Sequence, residues 1–247
     1  MGGAGGCNFV WRTVRTTRHL PRPYGLACLA AAAALALTAG DTRADDFRLL
    51  EIDGQRMKWG AAALGTGAEV TYGFAAQAQS FPEAVNCGEL APMQQLSQAW
   101  GGDPQRLETI AAEAFSMWSV AADLRFRPAA EDEVPDILIG AQGVPKRIAF
   151  ANVWFDAAAA AEGVAPMQRA TICFNPLFPW GLSGPGGAQF AIDFGTVLAH
   201  EIGHAIGLDH PGPTGSLMGY QNQGDINALM PGDVEGAITL YGPRPAK

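Results

Sequence analysis

The sequence has 247 residues, 48% of them hydrophobic and 16% charged, with 31 Gly and 17 Pro; this excludes a disordered tail, a coiled coil and a collagen-like rod and leaves room for one or two globular domains. Five of its 16 Lys and Arg but only one of its 24 Asp and Glu fall in the first 44 residues, leaving 11 basic against 23 acidic beyond Ala44, a formal charge of −12. A surface that acidic repels phosphate backbones and anionic headgroups, which argues against nucleic acid and membrane surfaces as partners.

Residues 11–25 hold Arg12, Arg15, Arg18 and Arg22 and no acid, residues 26–39 form a Leu/Ala-rich stretch, and small residues follow. That order is expected of a secretory signal peptide, and a stretch so short falls below the roughly 20 residues that a bilayer span needs. Thr42-Arg43-Ala44 puts small residues at the two positions that matter for cleavage. Residues 1–44 are therefore predicted to be the signal peptide and 45–247 the mature chain, secreted or periplasmic. Cys7 and Cys28 leave with the signal segment. Cys87 and Cys173 remain in an oxidising setting, where they form one disulfide or stay as two buried free thiols.

A mature chain of this length suffices for one domain with a substantial core. Val70, Tyr72 and Phe74 alternate with smaller or polar neighbours and predict a first strand. Asp103 and Pro104 suit the cap and first turn of a helix whose apolar stripe runs through Leu107, Ile110, Ala111, Ala114, Trp118 and Ala121. Leu124 and Phe126 alternate with Arg125 and Arg127, and the segments 136–139, 148–155 and 169–174 complete five strands. Residues 180–187 (WGLSGPGG) are a loop by composition. A second helix is predicted over about 194–208, and a third from Pro231-Gly232-Asp233 to Tyr241, where Gly242 and Pro243 stop it. Between them lies an irregular stretch rich in Gly, Pro, Asn and Gln. The pattern implies an α+β fold, an about five-stranded mixed sheet with three main helices packed on it.

Residues 200–210 read HEIGHAIGLDH. On a helix His200 and His204 lie about 40° apart around the axis and roughly one turn apart along it, so two imidazole nitrogens can reach one Zn2+. Glu201 is rotated about 100° from His200, too far round to complete that coordination but placed to touch a water on the metal, which makes it a base candidate. Were the helix to continue, His210 would stand about 9 Å beyond His204. The chain must turn back, and Gly207, lacking a Cβ, can take the left-handed conformation that ends a helix. Three neutral imidazoles leave one tetrahedral position open, the pattern of catalytic rather than structural zinc. No other histidine remains once His19 goes with the signal segment.

With these residues the sequence resembles the metzincin metalloendopeptidases, and among them the matrixins. Ser216-Leu217-Met218-Gly219-Tyr220 is similar to the family's Met-turn, with Met218 eight residues after His210. The segment LMPGDVEGAITLYGP is similar to the matrixin third helix, and AFSMWSVAADLRF, with Asp136-Ile137 after it, resembles the first helix and the strands that follow. The resemblance implies a single metzincin-like (zincin) catalytic domain over 45–247 and a secreted zinc endopeptidase that hydrolyses peptide bonds through a zinc-activated water. His200, His204 and His210 would hold one catalytic zinc, with Glu201 as general base and proton shuttle and Met218 as the apolar floor beneath the metal. Tyr220, two residues after Met218 as in astacins and serralysins, would stabilise the transition state or else wall the cleft. A protein or peptide substrate would lie extended along an edge strand at 148–154.

The sequence departs from the matrixin pattern in three places. Pro211 follows the third histidine where matrixins usually have Ser, the histidines of their second, structural zinc are missing, and the surroundings of Cys87 (VNCGEL) carry no latency signature. Asp136 and nearby acids are Ca2+ candidates by analogy, although acids in loops are commonly just solvated. The mature chain is expected to be a monomer without stable membrane insertion. Two other functions fit the same motifs: an exported zinc-binding protein of this fold with little or no turnover, and a narrow hydrolase of cell-wall peptides.

Overall fold

Strand alternation divides the side chains of one sheet between two apolar clusters, and the larger of these carries the helices. The computed structural model describes residues 4–5, 47–96, 103–182, 192–221 and 226–246. The predicted signal segment beyond Ala4–Gly5 and most of the glycine-rich loop after Leu182 lie outside the described residues. Short strands come first: β1 (Ala4–Gly5), β2 (Arg48–Leu49), β3 (Glu51–Ile52) and β4 (Gln55–Lys58). They are followed by β5 (Ala68–Phe74), the hairpin of β6 (Gln79–Ser80) and β7 (Glu89–Ala91), helix α1 (Pro104–Ala121), and strands β8 (Leu124–Pro128), β9 (Ile137–Gln142), β10 (Ala149–Phe155) and β11 (Val164–Phe174). Helix α2 (Phe194–Ala205), the two-residue β12 (Leu208–Asp209) and helix α3 (Pro231–Tyr241) close the chain.

The main sheet runs β8-β5-β9-β11-β10-β1, the two residues of β1 covering only part of β10. Its first three pairings are parallel, and β10 returns antiparallel to β11 with a bulge between Trp154 and Phe155. Ile137 and Ile139 of β9, Ile172 and Phe174 of β11, and Val153 and Phe155 of β10 join the helices in the main core. Their neighbours Leu138, Cys173 and Trp154 turn to the other face, where they meet Phe81, Cys87 and Leu90. Period-two alternation in strands buried on both sides produces this division. A Cys87–Cys173 disulfide fastens the β6–β7 segment to β11 and decides between the two states open to these cysteines.

Helix α1 begins where expected, with the Asp103 carboxylate accepting from Gln105 N at 3.0 Å and Pro104 opening the first turn. Its buried stripe is Leu107, Ile110, Ala111, Ala114, Phe115 and Trp118. Phe115 stacks on Tyr72 at 4.0 Å between centroids and meets Phe126 at 4.8 Å, so the helix sits over β5 and β8. Trp118 Nε1 donates to Ala199 O at 2.9 Å, joining α1 to α2.

Two sequence expectations are corrected in their bounds, and one group of short strands is new. The second helix ends at Ala205 rather than near 208, because Gly207 takes φ of +105° and the next two residues form β12. Strand β11 begins at Val164 rather than 169; Pro166 hides the alternation there, and the segment Val164 to Pro166 pairs in parallel with Arg56 to Lys58 of β4. The strands of two to four residues in 48–58 and 79–91 were not expected, since so few residues carry no readable period.

Phe115 is 1% exposed. Phe115→Ala is expected to lower the unfolding free energy in urea by about 3–5 kcal/mol. A loss below about 1 kcal/mol would contradict the packing of α1 on β5 and β8.

Candidate metal centre

Helix α2 is built to be buried nearly all round. Asp193 caps it, its carboxylate accepting from Thr196 N at 3.0 Å, and Phe194, Leu198, Ala199, Ile202 and Ala205 are fully buried. His200 and His204, one turn apart on this helix, sit at the edge of that burial. The reversal at Gly207 and the short β12 then return the chain, so that His210 meets both.

The three rings converge. His210 Nε2 lies 3.2 Å from His200 Nε2 and 3.2 Å from His204 Nε2. Backbone carbonyls fix two of the rings: His200 Nδ1 donates to Leu217 O at 2.7 Å and His204 Nδ1 to Leu208 O at 2.9 Å. A carbonyl oxygen only accepts, so the proton of each ring is on Nδ1 and the Nε2 lone pair faces the common centre. Nitrogens about 2.0–2.1 Å from one tetrahedral zinc stand roughly 3.3 Å apart, which the observed spacing fits. Among the described residues these three form the one cluster of His, Cys, Asp or Glu able to hold a metal ion.

Electrostatics favour the ligand form. Burial, with His204 beside it, lowers His200 to about 3. Burial first and a neighbouring histidine second bring His204 and His210 each down to about 4. All three rings are thus neutral at pH 7. Glu201, 7% exposed, moves the other way: burial pushes its carboxyl up to about 8, opposed by a hydrogen bond from the backbone of Ala151 in β10. That bond sets the carboxyl between the helix and the sheet edge.

Met218 is buried and packs directly on the α2 backbone at Gly203, where a Cβ would collide with its sulfur. Asp233, in the first turn of α3, holds this turn: its carboxylate accepts from Leu217 N at 2.8 Å, Met218 N at 3.1 Å and Met230 N at 2.8 Å. A chain of contacts therefore runs from Asp233 through Leu217 to His200. Tyr220 is 38% exposed, with its ring perpendicular to that of His210 and 6.1 Å from it.

Two sequence candidates lie apart from this cluster. Cys87 and Cys173 pair in the smaller apolar cluster on the other face of the sheet. The Asp136 carboxylate accepts from Thr71 N at 2.8 Å and Thr71 Oγ1 at 3.0 Å, joining β9 to β5. Sequence reasoning missed Asp233, read only as the start of a helix, and the backbone groups of Leu208, Leu217 and Ala151, which leave no side-chain signal. An acid in the first turn of α3 was visible; its partners across the Met218 turn were not.

Comparison with known proteins agrees with this geometry. The family model for matrixins matches residues 96–242. Metalloendoproteinase 1-MMP of Arabidopsis thaliana is 26% identical over 149 residues, covering 56% of this chain and 39% of that protein. Matrix metalloproteinase-16 of Homo sapiens is 28% identical over 157 residues, covering 58% of this chain and 24% of its own length. The chain thus spans 24–39% of the length of these curated relatives. With the matched segment running from before α1 to the end of α3 and enclosing the histidine cluster, the turn beneath it and Asp233, this chain belongs to the matrixin family.

Proposed function

We propose that the chain is an exported zinc endopeptidase acting on proteins or peptides, with Glu201 as general base. The observation that carries this is the convergence of three neutral ring nitrogens, two of them from the helix that also carries the buried Glu201 carboxyl and the third from the turn after it. Zinc bound there supplies Lewis acidity, polarising a carbonyl oxygen and lowering the pKa of a water toward neutrality. Glu201 takes up a proton and gives it back. Burial raises this carboxyl and so favours it holding a proton once one is taken up, while a divalent cation at the histidines would favour the ionised form that accepts it, which suits a group that takes one proton and later delivers it to a departing amine.

Strand β10 lies on the outer side of the main sheet, and β1 pairs only with its Val153 and Trp154. An extended peptide can add to such an edge through its backbone, and Ala151 brings that edge to Glu201. Tyr220, partly exposed with its ring 6.1 Å from that of His210, would in this reading donate its hydroxyl to charge developing on a substrate oxygen. Export rests on the Arg-rich and Leu/Ala-rich order of residues 1–44, and the Cys87–Cys173 disulfide fits an oxidising compartment.

Glu201→Ala is expected to lower kcat/KM on a fluorogenic peptide by about 10²–10⁴-fold while one zinc per chain is retained on metal analysis. Full activity in that variant would remove Glu201 as the base. Tyr220→Phe is expected to lower kcat about tenfold or more with KM little changed; unchanged turnover would leave Tyr220 a wall of the cleft.

The depressed histidines also set the pH range of metal binding. Three histidines titrating near 6.5 would each be about nine-tenths protonated at pH 5.5, weakening zinc binding there roughly a thousandfold relative to pH 7.5. With His200 near 3 and His204 and His210 near 4, the folded protein takes up these protons only below that range. Zinc affinity by chelator competition at pH 5.5 is therefore expected within about threefold of that at pH 7.5. A thousandfold loss would mean that the rings titrate as free histidines do.

A further inference from the structure

The helix that carries two of the ligands ends abruptly at Ala205, and its last carbonyls need partners. They and the carbonyl after them find these in Leu50 and Trp59, far back in the sequence, and in Tyr241 of α3. Ala205 O accepts from Trp59 Nε1 at 2.7 Å, and Gly207 O accepts from Leu50 N at 2.7 Å. Ile206 O accepts from the Tyr241 hydroxyl at 2.7 Å, whose oxygen in turn accepts from Trp59 N at 3.0 Å. The carbonyl oxygen of Met57 occupies the space that a Cβ on Gly207 would need, so this position requires glycine for close approach as well as for its positive φ. Leu208 and Asp209 then pair antiparallel with Leu49 and Arg48.

We propose that residues 47–59, which precede the segment matched to the family, form a strap that positions His210 and thereby sets the zinc affinity of the site. The strap holds both sides of the third ligand's turn. Arg48 Nε stands 3.2 Å from Asp209 Oδ2, and Asp209 Oδ1 accepts from His210 N at 2.8 Å. Leu208, paired with Leu49, presents the carbonyl that orients His204. The strap is itself anchored by Lys58, whose buried ammonium donates to Trp59 O at 2.7 Å, Ala61 O at 2.8 Å and Thr66 Oγ1 at 3.1 Å. Arg48, Leu50 and Trp59 are positioning residues that act through the backbone of 205–210 without touching the metal.

A purely structural strap and a positioning strap differ in what they move. The Arg48 side chain is 67% exposed, so its ion pair contributes little to global stability, whereas removing a group that orients a ligand typically weakens metal binding 10- to 100-fold. The proposal rests on the zinc site described above, and its test reads zinc rather than peptide hydrolysis. In the full chain, Arg48→Ala is expected to weaken zinc about tenfold by chelator competition with Tm within about 2 °C, and Arg48→Lys to restore most of the affinity. Trp59→Phe keeps an aromatic ring but removes the Nε1 donor; it is expected to weaken zinc at least tenfold and to alter the ligand-field spectrum of the Co2+-substituted protein. Arg127→Ala, which breaks exposed ion pairs with Glu69 and Glu133, is the control and leaves zinc affinity unchanged. Unchanged zinc affinity in both Arg48→Ala and Trp59→Phe overturns the strap whatever the peptidase activity. An unaltered chain that binds no zinc overturns the metal site and the strap together.

Discussion

A single straight helix cannot offer three ligands to one ion from positions 200, 204 and 210, because the rise of about 1.5 Å per residue carries the third away from the second. Everything else in the site follows from the reversal that defeats this rise. Gly207 supplies the backbone conformation, and β12 carries the chain back far enough for His210 to stand 3.2 Å from each of the other two ring nitrogens. Three lone pairs held that closely repel one another unless a cation lies among them. The protein maintains the arrangement by fixing two of the rings through carbonyls and by burying all three away from protons.

The supports of this cluster come from distant parts of the chain. Asp233 of α3 holds the turn that offers the Leu217 carbonyl to His200, and Met218 of the same turn lies against Gly203 on α2. Trp118 of α1 reaches the α2 backbone at Ala199, next to His200. Such outer contacts determine how far a ligand can move, and a metal site is only as rigid as they are. The same packing pushes the Glu201 carboxyl up to about 8, so the burial that keeps the histidines unprotonated also favours the protonated form of this acid.

Much of the centre was legible in the sequence because its signals are local. The HEIGHAIGLDH spacing specifies a helix, a stop and a return; Asp103-Pro104 and Pro231 mark helix starts; the five long strands alternate or run apolar. What stayed hidden depends on contacts between segments far apart. The residues 48–58 form three strands too short to show a period, and the role of Trp59 depends on a carbonyl 146 positions away. The backbone N–H of Ala151 and the carbonyl of Leu208 act through groups that every residue possesses, so no choice of side chain announces them. The Cys87–Cys173 pair was named as a disulfide or as two thiols, and only its place between β11 and the β6–β7 segment decides for the bridge.

The most direct measurement is an anomalous diffraction map at the zinc edge from crystals of the zinc-loaded protein. One peak is expected, about 2.0–2.1 Å from Nε2 of His200, His204 and His210 together, with the Glu201 carboxyl outside the coordination shell. A peak bound by His200 and His204 while His210 points elsewhere, or no peak among these rings, would contradict the account.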